Sequence, residues 1–139
     1  MPDRLIFMLS RVQHRLSSYF KRELKNKGLV LSPGQIGILF VLDGERQTTM
    51  GNLSRTLDID NAAITRLVDK LENKALVERS IDPDDRRQML IAITAEGLDK
   101  AAVVKKIAKA ANSKIKEGFT EEEITVYKRV NLEILKKFI

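Results

Sequence analysis

Two groups of side chains in this sequence have the types and spacing to do chemistry: Ala62, Thr65, Arg66, Asp69, Lys70 and Asn73 in one stretch, and Arg86-Arg87 behind Asp82-Pro83-Asp84-Asp85 in another. A guanidinium can donate two parallel hydrogen bonds to a guanine edge, a threonine hydroxyl can bond base or phosphate, and an alanine methyl can meet a thymine methyl. At about 100° per residue, Ile64, Leu67, Val68 and Leu71 define an inward helix face, so Ala62, Thr65, Arg66, Asp69, Lys70 and Asn73 turn outward or to the flank. Such a face could enter a major groove; an ordinary solvated face would read the same way. The second group sets two guanidiniums beside three carboxylates, which makes a plain electrostatic patch a poor description. An arginine on a projecting turn can reach a narrow A/T-rich minor groove, where negative potential is concentrated, while neighbouring acids orient its partner. The competing reading is a solvated turn with local ion pairs.

Other chemistries find little to work with. The 139 residues include no cysteine and one histidine, which excludes disulfides, thiolate zinc sites and thiol redox sensing and points to a reducing cytoplasm. A carboxylate-only metal site would suit only hard cations, so neither a metal effector nor any other cofactor is expected. No nucleophile is paired with a base, and there is no phosphate-cradling glycine loop or histidine cluster, so an enzyme is not expected. The longest apolar stretch, Ile36 to Leu42, is far short of the roughly 20 residues of a membrane span. Leu5 to Leu9 is too short for a signal-peptide core and reads as mature structure. Net charge is +6, but residues 1 to 28 carry seven basic residues against two acidic, whereas 61 to 90 carry six of each. The excess sits in the terminal segments, where it more often marks a solvated helix face than a binding site.

The elements that must position these groups follow from periodicity and caps. Leu5, Leu9, Val12, Leu16, Tyr19, Phe20 and Leu24 recur at helical steps, ending at Asn26-Lys27-Gly28. Ser32-Pro33-Gly34-Gln35 reads as a capping box with proline at the first helical position, opening a second helix that Asp43-Gly44 turns off. Thr48 or Thr49 can cap a short third helix, and Asp60 a fourth. The period then switches to two, with Val77 and Ile81 facing Met89, Ile91 and Ile93 across the Asp82-Pro83-Asp84-Asp85 turn. Thr94-Ala95-Glu96-Gly97 begins a long helix ending before Gly118, and Thr120 with Glu123 forms a second capping box opening the last helix. The fold expected is mainly α with a small β-hairpin wing, its middle in the element order of a winged helix-turn-helix.

Ile64 through Glu72, followed by Leu76-Val77-Glu78-Arg79 and Asp82 through Arg87 to Ile93-Thr94, resembles the signature of the MarR family. Leu31 through Gln35 resembles the start of that family's second helix, and the likeness covers roughly residues 5 to 138. It implies a single domain over 1–139, with a winged helix-turn-helix lobe at 32–93 flanked by N- and C-terminal dimerisation helices at 5–28 and 95–138. It also implies a recognition helix over 60 to 74, with Asn61, Ala62, Thr65, Arg66 and Lys70 toward DNA and Arg86 and Arg87 as wing arginines near the minor groove. Double-stranded DNA with a pseudo-palindromic operator, and a homodimer, are the implied partners. A small aromatic or anionic effector could be held near His14, Arg15, Tyr19 and Phe40, for which ordinary packing or exposure is the competing reading. Two departures stand out: Ala75 replaces the glycine that commonly ends the recognition helix, and Ala62 stands where a small hydroxyl residue is frequent. Either Ala75 takes positive φ at about 1 kcal/mol, or the helix ends differently through Asn73. A ligand-responsive repressor is the implied function, and a winged-helix protein-interaction module without operator binding is the alternative.

Overall fold

A computed structural model describes residues 4–138; residues 1–3 and 139, the ends of the expected 1–139 domain, lie outside it. The chain divides into two compact units, one running through Ile107 and the other from Ala108. The element order is α1 (Leu5–Asn26), α2 (Pro33–Glu45), β1 (Gln47–Thr49), α3 (Met50–Leu57), α4 (Asn61–Asn73), β2 (Val77–Ile81), β3 (Met89–Ile93), α5 (Ala95–Lys116) and α6 (Glu121–Lys137). The mainly α winged helix-turn-helix expected from the sequence is the fold observed.

The caps are those the sequence announced. The Ser32 hydroxyl accepts from the Gln35 amide at 3.3 Å while the Gln35 side chain accepts from the Ser32 amide at 2.8 Å, satisfying two otherwise orphaned donors. Thr49 rather than Thr48 caps α3, accepting from the Asn52 amide at 3.1 Å. Thr120 and Glu123 close the second box around the start of α6. Asp43-Gly44, expected to turn the chain, lies inside α2; the helix ends at Glu45, and Arg46 takes φ 70° in glycine's stead.

The core of the first unit gathers an apolar face from each helix and from the sheet: Leu24 of α1, Ile38, Leu39 and Leu42 of α2, Leu53 of α3, Ile64, Val68 and Leu71 of α4, Val77 and Ile91 of the sheet, and Ala101, Val104 and Ile107 of α5. The α2 segment is less enclosed than its composition suggests, because Phe40 remains exposed. The sheet is antiparallel in the order β1-β3-β2. The expected hairpin is present, with Val77 opposite Ile93 and Ile81 opposite Met89, and a third strand not foreseen adds Thr48 opposite Ile91. Three residues are too few to show a period of two, so β1 leaves no sequence signal beyond its paired threonines.

Candidate nucleic-acid interface

Asp60 stands at the head of α4, accepting from the Ala63 amide at 2.9 Å and placing negative charge where the helix dipole is positive. With Ile64, Val68 and Leu71 wholly buried, the helix can rotate little about its axis, and Asn61, Ala62, Thr65, Arg66 and Lys70 are all exposed. These five residues therefore share one accessible surface. Neither Arg66 nor Lys70 has an ion-pair partner among the described residues. Thr65 differs from the simple expectation: its hydroxyl donates to the Asn61 carbonyl at 2.9 Å, so it offers outward a methyl and an acceptor oxygen rather than a free donor.

The helix ends in a pair of hydrogen bonds, from the Leu76 amide to the Leu71 carbonyl at 3.0 Å and from the Ala75 amide to the Glu72 carbonyl at 2.9 Å. This closure needs a left-handed residue, and Ala75 supplies it at φ 61°. The same closure ends α1, with Gly28 at φ 73°. Of the two alternatives for Ala75, α4 ends at Asn73 and the alanine accepts the strain.

The wing tip is ordered by its own acids. Asp82 accepts from the Asp84 amide at 2.9 Å, and Asp85 accepts from the Arg87 amide at 3.1 Å and from Arg87 Nε at 3.2 Å. Arg87 is thus held at its inner nitrogen while its side chain stays 91% exposed, leaving the outer N–H groups available. Arg86 is exposed and has no ion-pair partner among the described residues. Two arginines on a turn whose backbone is fixed by aspartates form a projecting donor group suited to a narrow groove.

Sequence reasoning missed what joins these parts. Arg79 of β2 pairs with Asp69 and Glu72 of α4, so the outward face of the helix is tied to the wing. Alternation could have revealed it, since Arg79 shares strand parity with Val77 and Ile81, and a charge at such a position calls for a partner. Thr94 makes a second joint: its hydroxyl donates to the Ala75 carbonyl at 2.7 Å and accepts from the Gly97 amide at 3.0 Å, while its amide donates to the Leu76 carbonyl at 3.1 Å. A side chain on Gly97 would stand 2.1 Å from the Leu76 oxygen. The residues considered for an effector are less gathered. His14, Arg15 and Phe40 are exposed, whereas Tyr19 is half-buried against the core with its ring edge-on to Phe20 at 6.3 Å.

Residues 31–89, from the cap of α2 to the start of β3, match the model of the MarR family. An HTH-type transcriptional regulator of Bacillus subtilis, YhbI, is 30% identical over 109 residues, covering 73% of this chain and 71% of that protein. The chain belongs to the MarR family. A MarR-family transcriptional regulator from Rhodococcus sp. RHA1 has the same fold, with a TM-score of 0.79, 29% identity, and coverage of 96% of this chain and 94% of its own. The structure of reduced AbfR bound to DNA is similar over 97% of this chain and 91% of its own, with a TM-score of 0.77 and 25% identity. The protein is thus a MarR-family transcription regulator, and the family match runs through α2, α3, α4 and the β2–β3 turn. No described helix is long and apolar enough to cross a membrane.

Proposed function

We propose that this MarR-family regulator is a cytoplasmic, ligand-responsive repressor that binds a pseudo-palindromic operator as a homodimer. The observation that carries the reading is that Arg66 and Arg86 have no ion-pair partner among the described residues, one lying on the outward face of a capped helix and the other on an ordered turn. In a protein that half-buries and pairs Arg79, exposed guanidiniums left without partners are donors waiting for acceptors from outside. Asn61, Ala62, Thr65, Arg66 and Lys70 face the major groove, and Arg86 and Arg87 approach the minor groove.

Exposed apolar residues support the dimer. In the first unit Leu5, Ile6, Phe7 and Met8 are all more than half exposed, and in the second unit α6 has no buried residue while Leu132, Leu135 and Phe138 face water. Apolar surface on that scale is covered by a partner. The segments 5–28 and 95–138 are accordingly assigned to dimerisation and 32–93 to the DNA-binding lobe. Twofold symmetry would then set two α4 helices in successive major grooves, about one helical turn apart. A small aromatic or anionic effector near His14, Arg15, Tyr19 and Phe40 would release DNA by binding better to a state with different helix spacing.

Selection of bound fragments from the source genome tests this reading. Recovery of a site with twofold symmetry, located over a promoter, is the expected result. Recovery of no preferred sequence would favour a winged-helix module that engages protein instead.

A further inference from the structure

On the outward face of α4, Asp69 follows Arg66 by three positions, close enough on a helix for the two side chains to pair. They do not pair. Asp69 is bonded instead to Arg79 of β2, whose Nε also lies 3.2 Å from Glu72 Oε1. The side chain of Arg79 is 24% exposed, against 51% and 41% for the two acids, so the cation approaches them from the protein side and leaves the outer surface clear. Its Nε is buried without a well-directed hydrogen bond, so the contact to Glu72 is held by charge and proximity rather than by donor geometry.

We propose that Arg79 is a specificity-determining positioning residue: by engaging Asp69 and Glu72 from behind, it keeps Asp69 off Arg66 and so leaves the Arg66 guanidinium free to read a base. The inference rests on the DNA-binding reading above and adds to it a cause for the unpaired state of Arg66. Without Arg79, the face that meets DNA carries two uncompensated carboxylates. The nearer one has Arg66 within reach as its replacement partner. A guanidinium drawn back along the helix toward that carboxylate is turned from the direction in which it meets a guanine edge, and the phosphates would meet additional negative charge.

The test is a cycle of full-length R79Q, D69N and R79Q/D69N, each first shown to melt cooperatively. It uses duplexes recovered by genomic selection and copies of them changed at single base pairs. R79Q should lower discrimination at the Arg66-contacted base pair by about tenfold. The double variant should recover what R79Q loses, measured against D69N alone as its reference. If R79Q does not fold, R79K, a point charge that cannot span both acids, should show a smaller loss of the same kind that D69N again relieves. A double variant as impaired as the Arg79 variant alone would assign Arg79 a structural role and overturn the inference, as would unimpaired discrimination in R79Q and R79K. A second arm needs no DNA: the Arg66 Nε–H proton, followed by NMR, should exchange with water more slowly when Arg79 is replaced and return to the wild-type rate with D69N. If wild-type protein binds no duplex selectively, the function above fails, while this arm still upholds or overturns the pairing of Arg66 by Asp69.

Discussion

In the proposed function Arg66 and the wing arginines are the residues on which recognition turns, and each should fail in its own way when shortened. Arg66→Ala should change which base pair is preferred as well as the affinity, by about 1–3 kcal/mol at one position. An equal loss on every sequence, measured by competition binding, would make it a phosphate contact. Arg87→Ala and Arg86→Ala should weaken operator binding without lowering the melting temperature, because both side chains are exposed on a turn whose backbone is held by Asp82 and Asp85. Unchanged affinity in both would remove the wing from the mechanism. Ala75→Gly should stabilise the protein by about 0.5 kcal/mol, relief of left-handed strain being partly offset by the freer unfolded chain. Denaturant unfolding would show it. Residue types and helical phase made Arg66, Arg86 and Arg87 legible in the sequence. The partners of Asp69 and Thr65 were not, since a side-chain hydrogen bond depends on rotamer and on a strand ten residues away.

Elements were legible where a local rule suffices to set their ends. Ser32, Asp60 and Thr120 each satisfy an amide three residues on, and those helix starts follow from the sequence alone. The end of α2 did not follow, because Gly44 is a permissive residue with no obligation to stop a helix, and the helix runs on to Glu45, where the Arg46 amide donates to the Leu42 carbonyl. Nor did the joint between α4 and α5, which brings Ala75 and Leu76 against Thr94 and Gly97 across eighteen positions or more. Gly97→Ala should cost about 1–3 kcal/mol, since the obstacle is a backbone oxygen rather than a yielding side chain. Thr94→Val removes the hydroxyl from two hydrogen bonds and should cost about 1–3 kcal/mol in thermal or chemical unfolding. An undisturbed stability in both variants would mean that the start of α5 is not latched to the end of α4.

At the scale of the whole molecule, the basic excess says less than its distribution. The net charge of +6 lies toward the termini, while the segment carrying α4 and the wing is balanced, so selectivity must come from where individual guanidiniums are freed and held. In the proposed homodimer a second copy covers the exposed apolar residues on α1 and α6, and sedimentation should find a dimer. Leu135→Glu should weaken that dimer and operator binding together while the first unit stays folded. Sequence-selective DNA binding is the central claim, and titrating salt against affinity for an operator duplex and a scrambled one tests it most directly. A steep fall in affinity with salt, with the operator preferred throughout, is predicted. Absence of binding even at low salt, or equal affinity for both duplexes, would contradict it.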